Sequence, residues 1–190
     1  VQRLLGHIAS LVRSMLAAPD APLASFELLA AEERQQLLDE WALNPHAFPL
    51  DQSYAELFAA QVAQRGEQVA AICAGESLTY AELDLRSTRL AHALREAGAA
   101  EDQLVALVAP RGLALLTMML AVFKAGAAML PLEVNHPPER LREILGLSGA
   151  PLLVASEACS GLLDQLLSGL DQAPEALFAE ACWTSGNNAP

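Results

Sequence analysis

The stretch Phe123-Lys124-Ala125-Gly126-Ala127-Ala128-Met129-Leu130-Pro131-Leu132 decides the fold. Before it, Leu115, Leu116, Met119, Leu120 and Phe123 recur at helical spacing. Gly126 is expected to stop that helix, because glycine turns through positive φ without strain. Beyond it, Ala127 to Leu132 is apolar on both faces, the pattern of a strand inside a parallel sheet. Pro131 has no amide donor, so the strand must end there or lie at a sheet edge. The unit reads as a helix feeding a fully buried strand, the second half of a β-α-β crossover.

The same alternation extends outward on both sides. Leu104 to Val108 reads as a buried strand, Pro110-Arg111-Gly112 ends it, and the helix Leu113 to Ala125 follows. After the central strand, Pro137 and Pro138 stand where first-turn prolines belong, and a helix runs through Leu141, Ile144, Leu145 and Leu147 to Ser148-Gly149. Pro151 to Ala155 is a further apolar strand. Ser156 opens a helix carrying Leu162, Leu163, Leu166, Leu167 and Leu170, and beyond Pro174 the pattern gives no element. Strand, helix, strand, helix with short turns predicts an α/β fold, a partial doubly wound, mostly parallel sheet with flanking helices.

Upstream, Ser53 to Gln64 is predicted helical, with Ser53 and Glu56 at capping-box spacing and Leu57, Phe58 and Val62 on its inner face. Val69 to Ala74 and Ser77 to Thr79 read as a hairpin turning at Gly75-Glu76. Thr79-Tyr80-Ala81-Glu82 is a second capping box, opening a helix with Leu83, Leu90 and Leu94 inward, Ala91 and Ala97 between them, and Gly98 at its end. The first residues differ in kind. Leu4, Leu5, Ile8, Leu11, Val12, Met15 and Leu16 stripe one helical face that needs something to pack on, and Arg3 and Arg13 fall off it. Prolines break the chain between Ala18 and Leu23, a helix is predicted over Ala30 to Trp41, and Asn44-Pro45 with Phe48-Pro49 reads as a linker.

Two of these stretches carry a resemblance. Lys124-Ala125-Gly126 followed by Pro131-Leu132 resembles the second core motif of the adenylation domains of nonribosomal peptide synthetases; Met129 stands where that motif has an aromatic and Glu133 where it has aspartate. Leu78-Thr79-Tyr80-Ala81-Glu82-Leu83 resembles the first core motif at every residue. Their order and separation make the pair specific. The resemblance implies the N-terminal subdomain of the acyl-adenylate-forming fold, covering about residues 50 to 180, with an N-terminal helical segment. Leu28 to Trp41 resembles the segment that leads from a condensation domain into an adenylation domain. The implied organisation is 1–22 as the last helix of a condensation domain, 23–50 as linker and 51–190 as the N-terminal portion of a truncated adenylation domain. Val1 in place of methionine is expected to mean either an unusual start codon or a piece of something larger. The parent activity implied is ATP-dependent joining of an amino acid to AMP, with transfer to a phosphopantetheine thiol. ATP and Mg are the family's requirements, phosphopantetheine sits on a partner carrier domain, and the partners are the other parts of the synthetase.

Little in the residues themselves points to chemistry. The 190 residues are 53% hydrophobic, enough for a sizeable core, and carry a formal net charge of −12. That charge argues against nucleic acid and anionic membrane partners. Leu113 to Val134 is too interrupted by Lys124, Gly126 and Pro131 to span a bilayer, and a cytoplasmic location is expected. Cys73, Cys159 and Cys182, and His7, His46, His92 and His136, are dispersed and predict reduced thiols and no metal site. No glycine-rich phosphate fingerprint occurs. Trp183-Thr184-Ser185-Gly186 matches the start of the family's ATP-phosphate loop, but Asn187-Asn188-Ala189-Pro190 departs from it, so 183–190 is read as a polar linker. Arg111, at a strand's carboxyl end, is read as a solvated loop residue, and Glu82 with Asp84 and Glu139 with Glu143 as helix-surface acids paired with arginines at i,i+4. The expected catalytic, cofactor-binding and metal residues are therefore none. The reading is a synthetase piece without catalysis of its own that self-associates through exposed apolar surface. Its rivals are a docking piece acting through the N-terminal helix and a Rossmann-type nucleotide domain, against which the missing glycine fingerprint counts.

Overall fold

The computed structural model describes residues 2–42, 49–170 and 172–184. The turn read at Asn44-Pro45 and through Phe48, the histidine at 46 and the run 185–190 lie outside them. The chain divides into two units, Val1–Leu50 and Asp51–Pro190.

In the first unit, α1 (Gln2–Ala17) is followed by a 3₁₀ turn at Leu23–Ser25 and by α2 (Ala31–Gln35). The helix predicted over Ala30 to Trp41 changes character midway: Gln36–Trp41 is wound as π-helix. None of the described residues of this unit is buried. Leu4, Leu5, Ile8, Val12, Met15 and Leu16 of the predicted stripe are all exposed.

In the second unit, α3 (Tyr54–Arg65) begins at Ser53 with both arms of the capping box formed. Strands β1 (Val69–Cys73) and β2 (Glu76–Thr79) pair antiparallel. The loop residues are Ala74 and Gly75, one position earlier than predicted, both at positive φ (51° and 87°) as a type I′ turn requires. The second capping box opens α4 (Tyr80–Glu96): Thr79 N–H donates to Glu82 Oε2 at 2.9 Å, and Glu82 N–H donates to Thr79 Oγ1 at 3.2 Å. These bonds satisfy orphan amides of the first turn, and donation from the Thr79 N–H, with the Thr79 hydroxyl adding a second bond, holds the Glu82 carboxyl below its ordinary pKa.

Then come β3 (Leu104–Val108), α5 (Leu113–Ala125), β4 (Ala128–Leu132), α6 (Pro138–Ser148), β5 (Leu152–Ala155), α7 (Ser160–Leu167), β6 (Glu175–Phe178) and α8 (Ala179–Thr184). The four later strands form one parallel sheet in the order β4-β3-β5-β6. The last strand and helix had no sequence signal. Four residues are too few to show a period, and β6 runs directly into α8.

Alternate side chains point to opposite layers. Val105, Leu107, Leu152 and Val154 face α4, α5 and α8. Ala106, Val108, Leu153 and Ala155 face α6 and α7. Helices on both faces make the sheet doubly wound. A smaller cluster of Phe58, Leu78, Leu83 and Leu120 seats α3 and the hairpin on the outer side of α4 and α5. Helix α5 is thus covered on two sides, which is why it is apolar nearly all round.

Two expectations need correction. Gly126 does cap α5 in the left-handed region, at φ 84°, but the strand it feeds is not fully buried. β4 is an edge strand hydrogen-bonded only to β3, with Ala128 and Pro131 exposed and Leu132 alone buried. Pro131 faces the open side, where a missing donor costs nothing. The residues read at helical spacing in α5 do not share one face: Leu115 and Met119 pack against the core of Met118, Ala121, Val122 and Ala125, Leu116 and Leu120 join the cluster with Phe58 and Leu78, and Phe123 is 36% exposed. Leu57, assigned inward, is likewise exposed. No helix among the described residues is long and apolar enough to cross a membrane.

Candidate functional site

Open α/β sheets bind ligands outside the carboxyl ends of their strands, at the point where successive connections part to opposite sides. Here β3 leads through α5 to β4 on one side, and β5 leads through α7 to β6 on the other. The switch point therefore lies between β3 and β5. Its loops carry Ala109-Pro110-Arg111-Gly112 and Ser156-Glu157, with Glu133 to His136 after β4 and Glu180 opening α8 beside them.

Two small polar networks fill this edge. Ser156 is buried, its N–H donates to Val108 O, and its hydroxyl donates to Glu180 Oε1 at 2.7 Å. The Glu157 N–H donates to Glu180 Oε2 at 3.0 Å, so both oxygens of Glu180 serve to pin α8 on the end of β5. On the other side Arg111 Nη2 approaches Glu133 Oε2 at 3.4 Å, and Asn135 Nδ2 donates to Glu133 Oε1 at 2.8 Å. Arg111 is where the sequence put it, almost fully exposed, but with an ion-pair partner. Glu133, in the motif's aspartate position, organises this loop.

The edge can therefore offer a guanidinium to an anion. Gly112 is the one glycine in these loops, and it is extended (φ 168°), not part of an amide nest. Among the described residues no His, Cys, Asp and Glu group is set to hold a metal. Burial, and secondarily the charge of Glu180, pushes the Cys159 and Cys182 thiols up from their ordinary pKa, away from nucleophilic thiolate.

The other singled-out residues scatter. Glu139 pairs with Arg142 and Glu143 with Arg140, at i,i+3 and not i,i+4. Glu82 is spent on its cap. Asp84 is half-exposed, and its partner is not an arginine of its own helix but Lys124, whose Nζ donates to it at 2.7 Å. That ammonium also donates to Asp84 O at 3.0 Å and Thr88 Oγ1 at 2.8 Å, using all three of its protons, and lies 5.5 Å from the Phe58 ring centroid. The sequence did carry a signal for this anchor, because a lone cation in an apolar helix must find a partner. Trp183 and Thr184 are helical, not linker: Trp183 is buried against the main core, and its carbonyl accepts from Arg89 Nη1 at 2.8 Å.

With this geometry in view, the comparisons are specific. Residues 58–182 match the family model described as AMP-binding enzyme. The chain is 31% identical over its whole length to gramicidin S synthase 2 of Brevibacillus brevis, spanning 4% of that protein. It is 34% identical, again over its whole length, to bacitracin synthase 3 of Bacillus licheniformis, spanning 3% of it. Among solved structures, 98% of the chain superposes on 21% of the nonribosomal peptide synthetase FmoA3 in its α-methyl-L-serine-AMP bound form, with a TM-score of 0.73 and 26% identity. The N-terminal subdomain of Klebsiella oxytoca NpsA, bound to 3-hydroxybenzoyl-AMSN, matches 73% of the chain and 33% of its own at a TM-score of 0.60 and 25% identity.

Proposed function

Because the chain belongs to the AMP-binding enzyme family, we propose that its second unit is the N-terminal portion of an amino-acid adenylation unit in a nonribosomal peptide synthetase. The observation that carries this is the superposition of 98% of the chain on a synthetase that binds an aminoacyl-AMP. In the parent reaction the amino-acid carboxylate attacks the α-phosphorus of ATP and pyrophosphate leaves. A phosphopantetheine thiol of a carrier domain then takes the aminoacyl group and AMP leaves. ATP is cytoplasmic, and the reading places the protein there.

The described residues do not fit ATP or Mg²⁺ by themselves. The sheet's carboxyl edge has one exposed guanidinium, no amide nest, and no carboxylate group set for a cation. Those roles fall to parts of the parent outside the described residues, and no catalytic step is assigned to residues here. The chain by itself is expected to give no amino-acid-dependent exchange of pyrophosphate into ATP. Robust exchange would overturn this division of labour.

In the same proposal residues 1–22 are the last helix of a preceding condensation domain and 23–50 the linker. The exposed apolar face of α1 packs on that domain within one polypeptide. The observation behind this choice of occupant is that similarity to the far longer synthetases runs over the whole chain, α1 included.

A further inference from the structure

Helix α1 packs the wrong way round for an amphipathic helix. Its half-buried positions are His7, Ala9, Ser10, Leu11 and Ser14, and four of them, His7, Ser10, Leu11 and Ser14, fall at i, i+3, i+4 and i+7, so one face lies against its own unit. Three of those four residues are polar. The opposite face, from Leu4 to Leu16, is the exposed one. Leu11 is the one stripe residue on that face, and Phe26, Leu29 and Leu37 of the same unit are half-buried too, so apolar contact supplies only a part of what seats α1.

Beside that apolar part stands a set of polar contacts centred on Glu33. His7 Nε2 lies 2.8 Å from Glu33 Oε2, and Arg3 Nε 3.9 Å from Glu33 Oε1. The Arg3 guanidinium also stands 5.2 Å from the Trp41 ring centroid. Farther along, the Glu27 N–H donates to Ser14 Oγ at 3.3 Å. Charge agrees with this arrangement: α1 carries Arg3 and Arg13 and no acid, while Glu32, Glu33, Asp39 and Glu40 follow in α2 and its π-helical continuation. The side chains of His7 and Glu33 are only 24% and 23% exposed, so water screens this pair less than an ordinary surface pair.

We infer that Arg3, His7 and Glu33 form a clasp that fixes α1 on α2 through its polar side and so holds its apolar side outward. Residues 2–41 then act as one strut instead of a helix trailing a loose tether. The inference stands on contacts within the first unit alone. It survives if the adenylation reading fails.

The test is hydrogen–deuterium exchange on the full chain, read on peptides from 2–17 and 30–41, with α4 as internal control. The wild type is expected to protect both peptides. Glu33→Ala should speed exchange in both by roughly tenfold, the loss of one charge-assisted hydrogen bond. Alanine favours helix more than glutamate does, so propensity would push the other way. Glu33→Gln keeps an acceptor for His7 and should fall between, and about 1 M salt should speed the wild type toward it. Three results would overturn the clasp: no protection in the wild type, equal rates in wild type and Glu33→Ala, or acceleration confined to 30–41 or shared by α4.

Discussion

Leu90→Ala is expected to cost about 3 kcal/mol, and Leu141→Ala about the same. Both leucines are fully buried, Leu90 from α4 in the layer over Val105 and Leu107, and Leu141 from α6 in the layer over Ala106 and Val108. Deleting either isobutyl group removes its transfer energy and leaves a cavity that a packed layer closes only in part. The sheet stands between the two sites, so the losses should add to about 6 kcal/mol. A domain of this size has roughly 5–15 kcal/mol in all. The double variant should therefore be close to unfolded in water while each single variant still folds. Urea titration followed by far-ultraviolet dichroism reads all three. A cost below about 1 kcal/mol for Leu141→Ala would mean that the α6 and α7 layer is not packed as described.

Lys124→Met is expected to cost about 2 kcal/mol. Methionine keeps the length of the side chain and its stem packing, so the loss isolates the ammonium. Its three bonds tie α5 to Asp84 and Thr88 of α4, and its side chain is 13% exposed. Breaking a fully buried pair costs about 3–5 kcal/mol because the abandoned partner stays desolvated. Asp84 is 36% exposed and can recover some water, which lowers the figure. Asp84→Asn in the Lys124→Met background should then cost little more, giving a coupling of about 1–2 kcal/mol in a double-mutant cycle. Lys124→Arg should not restore the wild type, because a planar fork cannot reproduce three tetrahedral donors. Independent, additive effects at 84 and 124 would show that the motif lysine is only solvated.

These two sites also show what could be read in advance. Both capping boxes, the Gly126 turn and the Pro137-Pro138 start were legible because each is decided within four residues. The alternation of strands and helices was legible for the same reason. Strand order was not, since nothing near Ala128 reports that β4 pairs on one side alone. Pro131 allowed an edge without requiring one. Helix α5 defeated periodicity because two different layers bury it, so no single stripe exists. β6 was too short to carry a period. The candidate site suffered most. The switch point between β3 and β5 depends on strand order, and the Ser156–Glu180 pair joins residues 24 apart through a strand the sequence did not announce. Lys124 was noted as a motif residue, yet its meaning needed Asp84, 40 positions earlier.

The most direct test of the whole account is amino-acid-dependent pyrophosphate exchange by a chimera. Residues 51–184 would replace the matching residues of one adenylation unit in gramicidin S synthase 2. If the second unit is the N-terminal portion of such a unit, the folded chimera should keep exchange with the host's own amino acid, while the chain alone gives none. A folded chimera without exchange for any amino acid, beside an active host, would contradict it.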